Sequence, residues 1–200
     1  MSETVISKGA EAYLLGGVFL SKPVVIKERR PKRYRIFQID SALRRERTLS
    51  EARLLAAAKQ AGVLCPLVKH VDLQRMRIFE ERLGGKLLSA ASPSVRSKNA
   101  KAAGALLGRL HSAGIYHGDY TTANLMLCKK GLYVIDFGLS ERSLRVEDHA
   151  TDLLLYKKAV GSAEFVSFLA GYNLTNPNAN AVTVQLKDIE SRGRYVSRVQ

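Results

Sequence analysis

Three oxygen-bearing side chains in residues 117–138, which read HGDYTTANLMLCKKGLYVIDFG, have the types and spacing of a phosphate-handling site. Asp119 lies five residues before Asn124, and Asp136 follows at the end of a short apolar strand pair. Phosphoryl transfer from a nucleotide needs one carboxylate beside the attacking oxygen and hard oxygen ligands that fix magnesium over the phosphates. The sequence therefore predicts Asp119 as the catalytic carboxylate, with Asn124 and Asp136 as ligands of Mg²⁺ in a site for ATP.

A candidate cation for the same site, Lys27, closes a β-branched run, PVVI at 23–26. A lysine at the end of a buried strand needs an anionic partner, such as the α and β phosphates of a nucleotide. The alternative is a side chain that snorkels to water. Glu51 lies three and four residues before Leu54 and Leu55 in a helix predicted over 41–60, so it shares their inward face. This predicts a buried Lys27–Glu51 ion pair, with an exposed helix glutamate as the alternative.

Two groups of elements must hold these residues on either side of a cleft. Strands are predicted within residues 1–40, with a hairpin turn at Gly16-Gly17, and again within 65–80 around a turn at 72–75. Helices are predicted at 94–113, 145–160, 163–172 and 181–198. Gly84-Gly85 marks a break, so we expect a strand-rich N-lobe of about residues 1–82 and a reduced helical C-lobe of about 83–200. The wall at such a junction is a natural adenine site.

The charge of the chain indicates a polyanionic partner. Its 32 Lys and Arg residues against 18 Asp and Glu residues leave a formal net charge of +14, while the apolar fraction of 46% is ordinary for a globular protein. Such an excess favours nucleic acid, because neutralised phosphates release counterions. The basic segments 27–35 and 192–198 are the candidate contacts, with a merely solvated surface as the alternative.

The cysteines, the apolar runs and the N-terminus indicate the cellular compartment. Cys65 and Cys128 lie far apart in apolar surroundings, which predicts buried, inert thiols rather than metal ligands. No apolar run approaches the roughly 18 residues that a membrane span needs. Glu3 and the shortness of the apolar run after it argue against a signal peptide. We therefore expect a cytoplasmic protein with no membrane partner.

Together these residues resemble the protein-kinase pattern. The run at 24–27 looks like the kinase strand lysine with Glu51 as its helix partner, residues 117–124 look like the catalytic loop H-x-D-x-x-x-x-N, and residues 136–138 look like the metal-binding D-F-G. Three features depart from that pattern: residues 7–12 read SKGAEA in place of a Gly-rich loop, Gly118 stands where arginine is usual, and only eight residues separate Gly138 from Glu147. The short separation leaves no room for an ordinary activation loop or a full peptide-docking platform.

The reduced pattern is similar to one family, the small atypical kinase/ATPase of the KEOPS (EKC) complex, which is related to the RIO kinases. The likeness is carried by SKGAEA at 7–12, RT-x-x-EARLL at 47–55, HGD-x-TT-x-N at 117–124, IDFGLS at 135–140 and ED-x-A-x-DL at 147–153. It implies an α+β, bilobal protein-kinase-like fold in one atypical kinase domain over 1–200, with ATP and Mg²⁺ as cofactors. It implies the catalytic residues Asp119, Lys27 and Glu51 and the nucleotide contacts Lys27, Gly9, Ala10, Glu11, Glu80, Arg82, Asn124 and Asp136.

The resemblance also implies a function and partners. Members of the family hydrolyse ATP, show Ser/Thr kinase activity, and support threonylcarbamoyladenosine modification of tRNA beside the threonylcarbamoyl-transferase subunit and other KEOPS subunits. Two alternatives stay open. A small-molecule phosphotransferase shares the His-Gly-Asp and Asp-Phe-Gly elements but would need an acidic substrate-binding insertion. A non-catalytic tRNA-binding scaffold is the other, although all five catalytic positions are filled.

Overall fold

The N-terminal part of the chain folds into a five-stranded antiparallel sheet with the strand order β1-β2-β3-β5-β4. A computed structural model describes residues 3–9, 11–32 and 34–196, with side chains through residue 192. The strands are β1 (Thr4–Lys8), β2 (Tyr13–Phe19), β3 (Lys22–Glu28), β4 (Val68–Asp72) and β5 (Arg77–Glu81), and helix α1 (Phe37–Gln60) packs against β4 and β5. The predicted strands and the helix between them are thus present.

The first hairpin turns at Leu20 and Ser21 and not at Gly16-Gly17, so that part of the prediction is wrong. Leu20 and Ser21 have φ angles of 47° and 60°, which are the left-handed values of a tight hairpin turn. Both glycines lie inside β2 instead. A Cβ atom on Gly17 would lie 2.9 Å from the Cδ1 of Ile26 on the neighbouring strand. Close packing between β2 and β3 therefore explains the glycine there, and a local pattern does not reveal it.

Helix α1 begins at Phe37, four residues before the predicted start at 41. Asp40 in its first turn is buried and accepts hydrogen bonds from the backbone N–H of Lys32 at 3.3 Å and from Nε of Arg44 at 2.6 Å. These contacts tie the helix start to the preceding loop. The predicted inward face is confirmed, because Glu51 and Leu54 are buried while Glu46 is exposed.

The C-terminal part contains four helices and two small sheets. A three-stranded sheet has the order β6-β8-β9, and a two-stranded sheet joins β10 to β7. The strands are β6 (Gly85–Leu87), β7 (Ile115–Tyr116), β8 (Leu125–Cys128), β9 (Gly131–Val134) and β10 (Glu141–Arg142). The helices are α2 (Pro93–Ser112), α3 (Val146–Ala159), α4 (Ser162–Thr175) and α5 (Ala179–Val196). The predicted helices therefore all occur, with bounds shifted by up to three residues.

Helices α2 and α4 cross with their backbones in contact. A Cβ atom on Gly104 of α2 would lie 1.9 Å from the carbonyl oxygen of Phe168, and one on Gly171 of α4 would lie 1.9 Å from the carbonyl oxygen of Lys101. Two glycines thus let the helix backbones touch, and Leu107 of α2 is fully buried in the hydrophobic core.

This crossing predicts a large effect of one added methyl group. We expect Gly104→Ala to lower the free energy of unfolding by about 3 kcal/mol, because the new methyl must push the two helix backbones apart. Urea denaturation of both proteins measures the change. Gly161→Ala at the start of α4 is the matched control, because a Cβ there meets nothing within 4 Å. Equal stability of the two variants would contradict this account of the crossing.

The two cysteines are free, and Cys65 is buried as predicted while Cys128 is half-buried. Burial raises the pKa of the Cys65 thiol to about 11, so the thiol is protonated and unreactive at neutral pH. In the described part of the chain, we find no helix with the length and apolar character that crossing a membrane requires.

Candidate active site

The amino group of Lys27 lies in the cleft between the two lobes, within 2.6 Å of two carboxylates. One is Oε1 of Glu51 on α1, and the other is Oδ1 of Asp136 from the C-terminal lobe. Burial alone would lower the pKa of Lys27, but the negative charges of Glu51 and Asp136 outweigh burial and raise the pKa above its ordinary value. Lys27 is therefore a permanently charged cation, and the predicted Lys27–Glu51 ion pair is present.

Arg29 is a second buried cation at the same carboxylate, and the sequence interpretation missed it. It lies two residues after Lys27 along the chain, and its Nη2 donates to Oε2 of Glu51. Residues two apart on an extended backbone share one side, and this periodicity is the signal that could have found Arg29. Each oxygen of Glu51 thus binds one cation, which fixes the carboxylate, 2% exposed, and through it fixes Lys27.

The burial of Lys27 and Arg29 also bears on the predicted nucleic-acid contact over 27–35. Both side chains are enclosed and paired with Glu51, so they cannot reach a phosphate backbone. Arg30 is exposed and contacts Glu28 at 2.7 Å, while Arg33 lies outside the described residues. In the second predicted segment, 192–198, Arg192 is exposed and contacts Asp188 on its own helix. The rest of that segment lies outside the described side chains.

Asp136 is held in an uncommon backbone conformation next to Lys27. Its φ angle is 60°, in the left-handed region that non-glycine residues rarely adopt. Oδ1 accepts a hydrogen bond from the backbone N–H of Gly138 at 3.1 Å, while 54% of the side chain is exposed to the cleft. Burial would raise the pKa of Asp136, but Lys27 holds it below its ordinary value. The carboxylate is therefore ionised at neutral pH and available to a cation.

Asp119 and Asn124 are joined by hydrogen bonds in one loop. Nδ2 of Asn124 donates to the backbone oxygen of Asp119 at 2.9 Å and to its Oδ2 at 2.8 Å. Because the amide nitrogen is used in this way, the amide oxygen of Asn124 is left to act as an acceptor or ligand. Asn124 ends a 3₁₀ turn, Thr122–Asn124, which leads directly into β8.

The loop is anchored by Asp152 of α3. Asp152 lies beside the leucine run at 153–155, where the sequence predicts a buried carboxylate that accepts from backbone amides of this loop. Its carboxylate accepts the backbone N–H groups of His117 at 2.7 Å and Gly118 at 2.9 Å, and it also contacts Nε2 of the buried His111 at 3.1 Å. Burial raises the pKa of Asp152 to about 6, even though both amides favour its ionised form. Asp152 is therefore mainly ionised at neutral pH and fixes the backbone immediately before Asp119.

The backbone around position 118 leaves no room for the arginine that is usual there in protein kinases. The φ angle of Gly118 is +81°, and a Cβ atom would lie 2.4 Å from the backbone oxygen of Leu139. The catalytic loop and the segment after Gly138 thus touch at this point. Any side chain at position 118 would separate them.

The cleft itself has a volume of about 430 Å³. Its wall includes the polar side chains of Lys27, Glu80, Asn124 and Asp136 and the apolar side chains of Leu14 and Val25. The structure thus brings together four of the predicted nucleotide contacts. Asp119 is connected to them by its hydrogen bonds with Asn124.

Three other predicted nucleotide contacts are not among the residues that line this wall. Gly9 closes a turn in which its N–H donates to the backbone oxygen of Ala12 at 3.0 Å. Glu11 is exposed and pairs with Arg47 of α1. Arg82 is exposed just after β5, and Ala10 lies outside the described residues. In this structure the segment 7–12 is therefore tied to α1 through Glu11, and its role toward a nucleotide stays a prediction.

Asn124 and Asp136 have the chemistry of a magnesium site. Both lie on the cleft wall and offer oxygen atoms, one amide and one ionised carboxylate, which are hard ligands. The described residues contain no group of three or more His, Cys, Asp and Glu side chains that could hold a metal ion. A divalent cation here would take its remaining ligands from phosphate oxygens and water, as Mg²⁺ does in nucleotide sites.

Comparison with known proteins shows that this fold is similar to that of kinases. Residues 85–172 match the model of the lipopolysaccharide kinase (Kdo/WaaP) family. WaaP in complex with acyl carrier protein is similar with a TM-score of 0.63 at 15% identity, covering 95% of this chain and 88% of that one. The ADP/Mg²⁺-phosphoaspartate complex of Rio2 kinase from Chaetomium thermophilum has a TM-score of 0.61 at 16% identity, covering 98% of this chain and 72% of that one. These likenesses confirm the bilobal, kinase-like α+β fold.

Proteins related by sequence show a higher identity to this chain than these structures do. The chain is 38% identical to a probable bifunctional tRNA threonylcarbamoyladenosine biosynthesis protein of Methanobrevibacter smithii over 98% of its own length, but it spans only 37% of that longer protein. It is also 38% identical to the KEOPS complex subunit Bud32 of Pyrococcus abyssi, and there the match covers 97% of both chains. Because this second match runs nearly end to end, the chain belongs to the Bud32 family of KEOPS complex subunits.

Proposed function

We propose that the chain binds and hydrolyses ATP as the atypical kinase subunit of a KEOPS complex, in support of threonylcarbamoyladenosine modification of tRNA. The observation that carries this proposal is the position of Lys27. Its amino group sits at one end of a cleft between a buried helix carboxylate and an ionised cleft carboxylate, Glu51 and Asp136. That is the arrangement that positions the phosphates of a nucleotide. The end-to-end likeness to a Bud32 subunit supplies the biological setting.

Each residue of the site has its own role in the proposed reaction. Lys27, oriented by Glu51, binds the α and β phosphates, and Asn124 with Asp136 would hold Mg²⁺. When bound, Mg²⁺ neutralises the negative charge that develops on the phosphates. Asp119 orients the attacking oxygen and accepts its proton, and its position is fixed by the hydrogen bond from Asn124.

Water is the proposed principal nucleophile. The chain passes from Gly138 to the start of α3 at Val146 through a short segment that includes β10, which pairs with β7 beside the catalytic loop. Such a short segment offers little surface on which a peptide substrate could dock. A serine or threonine hydroxyl of a protein is the proposed second acceptor, which would make the enzyme a Ser/Thr protein kinase as well as an ATPase.

The proposed partners are the threonylcarbamoyl-transferase subunit, other KEOPS subunits and tRNA. Contact with tRNA is supported by the formal net charge of +14 and by exposed basic residues such as Arg30 and Arg192. A cytoplasmic location is proposed with them, and the two free cysteines agree with a reducing compartment.

Nucleotide binding with and without magnesium tests this proposal. We expect ADP to bind the wild-type protein at least about tenfold more tightly with Mg²⁺ than in EDTA, because the metal joins Asn124 and Asp136 to the phosphates. In Asp136→Asn we expect this magnesium effect to disappear. Isothermal titration calorimetry measures both. Asp188→Asn, on the exposed face of α5, is the control that removes a carboxylate elsewhere. A wild-type protein that binds no ADP, or a full magnesium effect in Asp136→Asn, would contradict the proposal.

A further inference from the structure

A second pocket, separate from the catalytic cleft, lies where the start of α1 meets the end of β3 and the turn between β4 and β5. Its volume is about 490 Å³, and none of the residues that line it also lines the cleft. The described residues of its wall include five arginines and one carboxylate: Arg29, Arg30, Arg44, Arg75, Arg77 and Glu28. The wall therefore carries an excess of positive charge, and the proposed reaction gives this pocket no role.

Carboxylates fix the positions of these arginines. Glu28 contacts Arg30 at 2.7 Å and Arg77 at 2.5 Å. The other acidic partners are not among the lining residues: Asp40 binds Arg44, Asp72 lies 4.0 Å from Arg75, Glu3 binds Arg77, and Glu51 binds Arg29. A guanidinium has five N–H donors, and each of these contacts uses only some of them. The arginines therefore keep donors for a ligand.

Three of the remaining donor atoms are buried and unsatisfied. Nε and Nη1 of Arg29 and Nε of Arg77 have no hydrogen-bond partner among the described residues. A buried polar group without a partner costs free energy, and a ligand that accepts a hydrogen bond from it recovers that free energy. Arg29 and Arg77 both line the pocket, so an acceptor bound there is the candidate partner.

The start of α1 adds a positive electrostatic potential to the pocket. Phe37 and Ser41 of its first two turns line the wall, and Ile36 before the helix provides no side-chain cap for the first N–H groups. The N-terminus of a long helix favours an anion. Asp40 in the first turn is already paired with Arg44, so its negative charge is compensated. The helix and the arginines thus favour the same kind of ligand, an anion.

The depth of the arginines indicates which anion can use them. Arg30 and Arg75 are exposed, Arg44 and Arg77 are half-buried, and Arg29 is buried. A backbone phosphate of a nucleic acid carries one charge between two riboses and would meet only the exposed pair. A terminal phosphate carries up to two charges, and its free oxygens match the forked donors of arginine. A compact phosphate compound therefore fits this pocket better than RNA does.

We propose that this pocket binds a terminal phosphate group of a small molecule, with Arg29, Arg44 and Arg77 as the deep donors and Arg30 and Arg75 at its opening. The proposal does not depend on the proposed ATP chemistry, because the pocket shares no lining residue with the catalytic cleft. A phosphate that accepts from Nε and Nη1 of Arg29 leaves the bond from Nη2 to Glu51 in place.

Calorimetric titration with pyrophosphate in EDTA tests the proposal, because this probe is compact and carries two terminal phosphate groups. At about 0.15 M NaCl we expect the wild-type protein to bind it with a Kd below about 1 mM. Arg30→Gln/Arg75→Gln removes the two exposed charges of the pocket and should weaken binding at least about tenfold. The matched control Arg53→Gln/Arg192→Gln removes two exposed arginines elsewhere and should bind within about twofold of wild type. Lys27→Met, which alters the catalytic cleft, should bind within about threefold.

The outcomes assign the probe to one site or the other. Pyrophosphate binding that is lost in Lys27→Met and retained in Arg30→Gln/Arg75→Gln would place the probe in the catalytic cleft and overturn the proposal. A wild-type protein that binds no pyrophosphate would also overturn it, and a loss of tRNA affinity in the pocket variant would then assign the pocket to RNA. ADP with Mg²⁺ should bind the pocket variant within about twofold of wild type, which separates this site from the ATP site. Melting temperatures confirm that each variant is folded.

Discussion

Replacing Asp119 with asparagine is expected to lower the turnover of ATP by at least about 100-fold, since the variant loses the group that we propose orients and deprotonates the attacking oxygen. Nucleotide affinity should stay nearly unchanged, because the residues proposed to hold the phosphates and the metal, Lys27, Asn124 and Asp136, are intact. The asparagine has nearly the same shape as the aspartate. Phosphate release at saturating ATP gives the turnover, and calorimetry with ADP gives the affinity.

The Asp119 prediction separates catalysis from binding. A joint loss of affinity and turnover in Asp119→Asn would show that the residue supports the loop and does not act on the nucleophile. Full turnover with unchanged affinity would remove Asp119 from the reaction altogether. Asp188→Asn provides the control for removing one carboxylate from the surface.

Replacing Asp152 with alanine is expected to lower the free energy of unfolding by about 3–5 kcal/mol, because it leaves buried partners of an ionised group without a bond. Those partners are the N–H groups of His117 and Gly118 and the ring of His111. Asp152→Asn should cost less, since its amide oxygen can still accept one N–H. Urea denaturation gives the free energies.

Asp152→Ala should also impair the reaction, because the N–H groups of His117 and Gly118 belong to the loop that carries Asp119. Asp148→Asn is the matched control on the same helix, where the carboxylate accepts a hydrogen bond from Ser143 near the surface. A stability of Asp152→Ala within about 0.5 kcal/mol of the Asp148→Asn control would contradict the anchoring role of Asp152.

Residues whose role is local were the most predictable from the sequence. Glu51 could be placed on the inner face of α1 because helical periodicity fixes which side chains share a face. Asp152 could be assigned to backbone amides because a carboxylate beside a leucine run must find donors. The strand that ends near Lys27 followed from its β-branched run in the same way.

Features that depend on contacts between distant segments could not be found in this way. Gly17 was interpreted as a turn residue, although its neighbour across the sheet, Ile26, is what excludes a side chain. Gly118 was recognised as a departure from the kinase pattern, but its contact with Leu139 becomes evident only when two loops are brought together. The pairing of Arg29 with Glu51 likewise joins residues 22 positions apart.

The most direct test of the proposed role is a reconstituted reaction with ATP, tRNA and the other KEOPS subunits, comparing the wild-type chain with Asp119→Asn. Threonylcarbamoyladenosine formed on the tRNA and phosphate released from ATP are measured together. We predict that the wild-type chain supports both, and that Asp119→Asn assembles normally but fails in both. Undiminished modification and phosphate release with Asp119→Asn would contradict the claim that this cleft hydrolyses ATP in support of tRNA modification.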